Sequence, residues 1–368
     1  MITRIASRHL WEANMCVKHS QGALEPLPPF TSLILDPPNY EGVNATLVNT
    51  VLGPVEARRL GITLVSESLM YVLPGAQYGY DIKIDRAEVF ERLAAKLSAF
   101  KAAGGGTIVD ATGMFQGRDL RMYESLSRAT GVHIVASTGQ GPESMLGGYF
   151  LTPQTNPPIP WPASKFAELF GKEVNEGMVV PRRERRAPAG MVVTAVTKSG
   201  MTPTDDNLVR GAARAGSTYG VPVFIRSGAD ALAEMQLAID EVLEPERLVM
   251  GGMDRRDAVV KSWPMAVARA GVRLSIDHIG SNDPLYLSDV ERVSLISRLI
   301  EEGYADRILL SANATGVAFG EPGNDIPYSD VLTKFAPMLQ AAGVSQAHIA
   351  QMLITNTARL LSVNGEVK

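Results

Sequence analysis

The chain has 368 residues, of which 45% are hydrophobic and 20% charged, and its formal net charge at pH 7 is −4. These proportions are ordinary for a soluble globular protein with a large core. The acidic balance, with a pI of 5.8, excludes a broad basic face for nucleic acid. A single cysteine, Cys16, excludes an internal disulfide.

The first 45 residues are rich in proline and show weak periodicity, and we predict that they form an N-terminal extension. Residues 46–368 are predicted to form one domain. The chain start lacks the apolar core of a signal peptide, and no apolar run of 18 residues occurs in the chain. We therefore expect a cytoplasmic protein without a membrane segment.

From residue 61 onward, short runs rich in Val, Ile and Leu alternate with longer amphipathic stretches. Such nearly continuous apolar runs are typical of parallel strands that are buried on both faces. The eight runs span residues 61–66, 106–111, 132–137, 190–197, 221–226, 247–252, 272–277 and 307–312. Helical spacing is clear over residues 86–104, 205–220 and 288–304. Eight β-α repeats predict an α/β fold, a (β/α)8 TIM barrel, with a doubly wound open sheet as the alternative.

One connection is much longer than the others. Residues 138–189 separate the third run from the fourth and include PQTNPPIPWP and one predicted helix, SKFAELFGKEVNEG. A long connection after a barrel strand is typical of a wall of a substrate pocket.

Six stretches lie in order between about residues 47 and 363: VNTVLGPVEARRLGITLVSESL, GGGTIVDATGMFQGRDL, TGVHIVASTG, LSIDHIGSNDP, EEGYADRILLSA and GVSQAHIAQMLITNTARLLS. Taken together, these stretches resemble the bacterial phosphotriesterase family of the amidohydrolase superfamily. The resemblance implies a distorted TIM barrel with its active site at the carboxyl ends of the strands. It also implies a small-molecule substrate and, often, a homodimer.

The family's two-metal centre is built from four histidines, an aspartate and a carboxylated lysine, and this chain departs from that pattern. The first strand reads Thr-Leu-Val-Ser-Glu-Ser, so serines replace both histidines. In this alignment the six ligand positions hold Ser66, Ser68, Thr194, Arg226, Gly252 and Asn313. Hydroxyls do not replace imidazole as zinc ligands, and a guanidinium repels a cation. We therefore predict no metal and no other cofactor.

One family feature is retained, the pair Asp277-His278 at the end of the seventh strand. The resemblance implies that this histidine relays protons, and its ordinary pKa suits a general acid or base. The alternative is a polar residue that bridges two loops. Asp277 or Asp254 is expected to orient it. Arg226 is predicted to bind an anion or an oxyanion, or instead to fill the vacated metal position in a salt bridge with Asp254 or Glu67.

Further candidates are predicted around the same barrel mouth. Ser66 is a possible nucleophile with His278 as its base, although both serines could simply fill the space left by the histidines. Contacts to the substrate are expected from Ser68, Thr194, Lys198, Arg255, Asn313 and Tyr78.

The sequence thus predicts a metal-independent hydrolase of a small ester, lactone or similar carbonyl compound, which carries an anionic group. A lyase or isomerase could use the same histidine base and arginine. A non-catalytic binding barrel is the third alternative, because a relative that has lost its ligands could also have lost its activity.

Overall fold

The computed structural model describes residues 46–114, 116–145, 159–180 and 184–363. The predicted N-terminal extension, residues 1–45, lies outside the described residues, so the division at residue 45 stays a prediction. No helix of the described residues is both long and apolar enough to cross a membrane.

A parallel barrel is the centre of the fold, and the predicted TIM barrel is confirmed. Each of the eight predicted runs overlaps a strand of the sheet. Barrel strands that follow one another along the chain lie side by side in the sheet. The barrel strands are β3 (Ile62–Val72), β4 (Gly105–Asp110), β5 (His133–Thr138), β8 (Met191–Ala195), β9 (Val223–Arg226), β10 (Leu248–Gly251), β11 (Arg273–Ile276) and β12 (Ile308–Leu310).

The sheet closes between its first and last barrel strands, which rules out the doubly wound open sheet. The backbone N–H of Ser66 in β3 donates to Ser311 Oγ just after β12, at 2.9 Å. The backbone N–H of Ser68 donates to the carbonyl of Ala314 at 2.9 Å. A further strand, β13 (Thr315–Phe319), then pairs in parallel with the carboxyl half of β3.

Helices cover the outside of the barrel. They are α1 (Arg86–Ala102), α2 (Leu120–Thr130), α3 (Ala163–Asn175), α4 (Pro203–Tyr219), α5 (Ala231–Asp240), α6 (Arg256–Val260), α7 (Trp263–Arg269), α8 (Asp289–Glu301), α9 (Ala336–Ala341), α10 (Gln346–Ala350) and α11 (Asn356–Leu361). Ser288 caps α8 in a capping box with Glu291. Thr202 does the same for α4, which therefore begins before the predicted start at residue 205.

The long connection contains the predicted helix as α3 and a short hairpin, β6 (Val179–Val180) with β7 (Glu184–Arg185). Its residues 146–158 and 181–183 lie outside the described part of the chain, and so does the PQTNPPIP stretch up to residue 158.

Two apolar cores hold the barrel. The larger core lies between the sheet and the helices. The smaller core takes side chains from most barrel strands, such as Val65, Val109 and Phe224, and joins them to Val48 and Leu360. Val48 belongs to the hairpin β1 (Leu47–Thr50) with β2 (Gly53–Glu56), and Leu360 belongs to α11. Because the hairpin and α11 cover one end of this core, the polar chemistry is left for the carboxyl ends of the strands.

Candidate active site

Three neighbouring strands bring charged side chains together at the carboxyl end of the barrel. Arg226 ends β9, Asp254 follows β10, and Asp277 and His278 follow β11. Arg292 of α8 reaches the same place. These five residues are called the charged cluster below.

An aspartate orients the imidazole of His278. His278 Nδ1 lies 2.8 Å from Asp254 Oδ1 and 3.1 Å from Asp277 Oδ1. The backbone N–H of His278 donates to Asp254 Oδ2 at 3.1 Å, so this carboxylate fixes both the ring and the main chain. The other ring nitrogen, Nε2, makes no hydrogen bond within the described residues and is not sealed from solvent. Nε2 is therefore the atom that is available for proton transfer.

A buried arginine holds Asp254 from behind. Arg292 Nε donates to Asp254 Oδ2 at 2.7 Å, and Arg292 Nη1 donates to Asp289 Oδ1 at 2.6 Å. The side chains of Arg292 and Asp254 are both 0% exposed. A buried ion pair of this kind fixes the positions of both side chains, because moving either one would leave the other as an unpaired charge inside the protein.

The second carboxylate, Asp277, is held by the main chain. The backbone N–H of Gly252 donates to Asp277 Oδ1 at 2.9 Å. The Asp277 side chain is buried. Two buried carboxylates thus face one imidazole.

This environment changes the charge of His278. Burial lowers the pKa of the imidazole, but Asp254 and Asp277 outweigh that effect and raise it to about 9. The pKa of Asp254 is held below its usual value by His278 and Arg292 against the opposing effect of burial. His278 is therefore an imidazolium at neutral pH and becomes a free base only as the pH rises toward 9.

Tyr286, which the sequence analysis did not single out, covers His278. The two rings stack with centroids 3.6 Å apart and planes 15° apart. Burial, followed by the nearby carboxylates, raises the pKa of Tyr286 to about 12, so the hydroxyl keeps its proton. The signal that could have identified it is its position, eight residues after His278 on the loop that follows a barrel strand.

Arg226 is a partly buried cation without a carboxylate partner in the described part of the chain. Arg226 Nη2 donates to the carbonyl of Ala111 at 2.9 Å. Burial lowers its pKa, and the charges of Asp277 and Asp110 oppose this from a greater distance than a salt bridge. The predicted salt bridge from Arg226 to Asp254 or Glu67 is wrong. Asp254 pairs with His278 and Arg292, and Glu67 accepts hydrogen bonds from the segment after β12.

Glu67 closes the barrel between β3 and the segment after β12. It accepts hydrogen bonds from Ser311 Oγ at 2.8 Å, the N–H of Ala312 at 2.8 Å and the N–H of Ala314 at 2.5 Å. Burial raises its pKa to about 7 in spite of these hydrogen bonds. Glu67 and its partners Ser311, Ala312 and Ala314, together with Ser66 and Ser68, are called the closure cluster below. The part of the mouth that they occupy is called the closure side.

The other predicted residues fall into two groups. Ser66, Ser68 and Thr194 are buried, and the hydroxyls of Ser66 and Thr194 have no hydrogen-bond partner among the described residues. Asn313 lies after β12 in the left-handed region (φ 46°) and is partly exposed, and its carbonyl accepts from Asn324 Nδ2 at 2.7 Å. Asparagine tolerates this conformation better than most residues.

Two of the residues predicted to contact the substrate, Tyr78 and Arg255, lie in surroundings that the sequence did not reveal, and their role stays a prediction. The side chain of Tyr78 is 83% exposed. Arg255 already donates twice to Asp257 and once each to the carbonyls of Ser227 and Gly228 in the loop after β9, so most of its N–H groups have partners. Lys198 is exposed, and it lines a cavity together with Arg255 and Tyr286.

The residues at the mouth do not fit the binuclear metal centre that the resemblance implies. Its six positions hold hydroxyl, glycyl, amide and guanidinium groups, and Arg226 brings a positive charge to one of them. Among the described residues, the side-chain ligand atoms of Asp254, Asp277 and His278 do lie within 4.8 Å of one another. However, they are hydrogen-bonded to each other, and Asp254 Oδ2 already faces the Arg292 cation.

Comparison with known proteins identifies the family. The sequence model of the phosphotriesterase family matches residues 46–361. This chain belongs to the phosphotriesterase family. It is 27% identical to an aryldialkylphosphatase of Saccharolobus solfataricus, over 70% of this chain and 78% of that protein. It is 25% identical to an N-acetyltaurine hydrolase of Xenopus tropicalis, over 86% of this chain and 97% of that protein.

Solved structures of phosphotriesterase-family proteins have the same fold. A mutant PTE-like lactonase of Deinococcus radiodurans superposes with a TM-score of 0.75 and 27% sequence identity, covering 86% of this chain and 100% of that one. An organophosphorus hydrolase mutant from the same organism superposes with a TM-score of 0.75 and 26% sequence identity. The fold and family of the chain are thus those of hydrolases that act on small molecules.

Proposed function

We propose that this protein is a metal-independent hydrolase of a small ester, lactone or similar carbonyl compound that carries an anionic group. The observation that supports this most is the Asp254–His278 pair, whose free Nε2 lies at the carboxyl end of the barrel. The names of its relatives, which include a phosphatase, a lactonase and an amide hydrolase, support hydrolysis as the reaction class.

In this proposal His278 activates water. Asp254 accepts a hydrogen bond from the Nδ1–H group and keeps Nε2 turned toward the substrate, and Nε2 then takes a proton from the attacking water. Because the carboxylates hold a proton on the ring, only a small fraction of His278 is a free base at pH 7. We therefore expect the rate to increase with pH up to about 9.

Arg226 takes the role that a metal plays in electrophilic catalysis. Its guanidinium has no carboxylate partner within the described residues and lies in a protein environment where charge is weakly screened. A donor of this kind stabilises the oxyanion that develops when water adds to the carbonyl carbon. Asn313 and Thr194 are proposed to contact the substrate.

The polar mouth also bears on the alternatives. An apolar, collapsed mouth would favour a binding barrel without activity, whereas this mouth holds a cation, two carboxylates and an oriented imidazole. A lyase or isomerase would use the same groups and remains separable by experiment, because hydrolysis adds the mass of water to the product.

The test is a panel of aryl esters and lactones in chelator-treated buffer, with products identified by mass after reaction in 18O-labelled water. We expect 18O in the acid product, and a loss of about 10²- to 10⁴-fold in kcat for His278→Ala. His348→Ala, on α10 and outside the charged cluster, is the matched control and should keep full activity. Hydrolysis that persists in His278→Ala would contradict the proposal.

Two further expectations belong to this proposal. The chain is expected to form a homodimer, which light scattering at several concentrations would test. A cytoplasmic location is also proposed, and cell fractionation would test it.

A further inference from the structure

A cavity adjoins the charged cluster at the carboxyl end of the barrel. It has a volume of about 370 Å³. The segments that follow four successive strands line it. Lys198 follows β8, and Gly228 and Ala229 follow β9. Arg255 and Lys261 follow β10, and Leu285 and Tyr286 follow β11. The loops that follow the strands are where barrel enzymes bind their substrates.

This cavity shares a wall with the reaction site. Tyr286 lines the cavity, and its ring is the one that stacks on His278. The loops on both sides are fixed to each other, since Arg255 and Tyr286 form a β-bridge and the N–H of Arg256 donates to the carbonyl of Leu285 at 3.0 Å. A substrate that reacts beside His278 can therefore extend past Tyr286 into the cavity.

The charge of the lining is positive. It contains three cations, Lys198, Arg255 and Lys261, and one carboxylate, Asp257. Arg255 and Asp257 neutralise each other through hydrogen bonds of 3.0 and 2.8 Å. The two lysines remain, and neither forms a salt bridge with any residue that the structure describes.

Lys261 is held in place rather than free to move in solvent. Its Nζ lies 4.3 Å from the ring centroid of Trp263, which is buried, and 3.3 Å from the carbonyl of Ala229. A cation that is oriented by an aromatic face and a carbonyl keeps its remaining N–H groups for a ligand. Leu285, which is 61% exposed, adds an apolar surface at the rim.

We infer that this cavity is a subsite for the anionic end of the substrate, a carboxylate, phosphate or sulfonate that Lys198 and Lys261 bind. This inference rests on the proposed hydrolase function and assigns separate roles to the cations. Arg226 stabilises the oxyanion at the reacting carbonyl, and the two lysines recognise a second anion beyond Tyr286. The preferred substrates are then small esters, lactones or amides with a remote anionic group.

Binding is tested first, without any need for activity. Inorganic phosphate and succinate are titrated calorimetrically at low ionic strength into the wild type, the double variant Lys198→Gln/Lys261→Gln, and Lys101→Gln as a control at the end of α1. We expect the double variant to bind about tenfold more weakly or worse, because it loses two charge-assisted hydrogen bonds. Lys101→Gln should bind like the wild type. Equal binding by the double variant, or no binding by the wild type, would overturn the inference.

Selectivity is tested second, with 4-nitrophenyl acetate and mono-4-nitrophenyl succinate as a neutral and an anionic ester. We expect the wild type to have the higher kcat/KM for the succinate ester, and the ratio of the two values to fall about tenfold in the double variant. An unchanged ratio overturns the subsite. If neither ester, nor any other substrate of the panel, is hydrolysed while anion binding still depends on the lysines, the proposed function fails and the subsite stands.

Discussion

The two sides of the barrel mouth differ in what occupies the positions of the family's metal ligands. On the closure side, Ser66 and Ser68 flank Glu67, whose carboxylate accepts hydrogen bonds from the segment after β12. On the charged side, Arg226 lies with Asp254, Asp277 and His278, and the imidazole keeps an available nitrogen. The positions of the family's metal ligands thus include a hydrogen-bonded contact between β3 and the segment after β12 on one side, and adjoin a charged cluster with an available imidazole nitrogen on the other.

The largest effect on stability is expected from Arg292 on the charged side. Arg292→Met leaves Asp254 buried without its cation, which should lower the free energy of unfolding by about 3–5 kcal/mol. Urea denaturation measures this. Arg256→Met is the control: Arg256 of α6 forms a two-point ion pair with Glu291 of α8, but in an exposed position, and little change is expected there. Equal effects for both variants would show that burial of the network is unimportant.

The fold and the charged side were largely predictable from the sequence. The apolar runs identify the eight strands because parallel strands are buried on both faces, and the carboxyl ends of β9 to β11 then place Arg226, Asp254 and His278 together. Arg292 and Tyr286 were not identified, since a helix position and a loop position come near His278 only through tertiary packing. The sequence also does not show that Arg255 already donates to the carbonyls of Ser227 and Gly228, or that Tyr78 is exposed.

Arg226→Met should separate activity from stability. Loss of an oxyanion donor is expected to lower kcat by about 10²- to 10³-fold. The variant should be no less stable than the wild type, because it removes a partly buried cation that has no carboxylate partner in the described residues. Steady-state kinetics and urea denaturation of one preparation measure both. A stability loss as large as that of Arg292→Met would assign Arg226 to the structural network instead.

The pH dependence of stability should distinguish the two sides. The folded-state pKa of His278 is raised to about 9, so its stabilising effect is complete below its ordinary pKa near 6.5 and is lost as the pH rises through 9. Stability should fall by about 1.4 kcal/mol per pH unit in this window. Glu67, with its pKa raised to about 7, gives a loss of the same sign between pH 4.5 and 7. In His278→Gln, the free energy of unfolding measured by urea denaturation should no longer fall between pH 6.5 and 9. Its fall between pH 4.5 and 7 should remain.

The smallest effect is expected at Ser66 on the closure side. Its buried hydroxyl has no hydrogen-bond partner among the described residues, so Ser66→Ala should change the free energy of unfolding by less than about 1 kcal/mol. If water, activated by His278, is the nucleophile, kcat is also unchanged. A collapse of activity in this variant would instead identify Ser66 as a nucleophile.

The most direct test of the account is the metal dependence of the hydrolytic rate. Purified protein would be analysed for transition metals, and its rate measured before chelation, after chelation and after the return of zinc, manganese or cobalt. The account predicts no stoichiometric metal and one unchanged rate under all three conditions, because Arg226 and His278 supply the positive charge and the proton transfer. One or two ions per chain, together with a rate that disappears on chelation and returns with the metal, would contradict it.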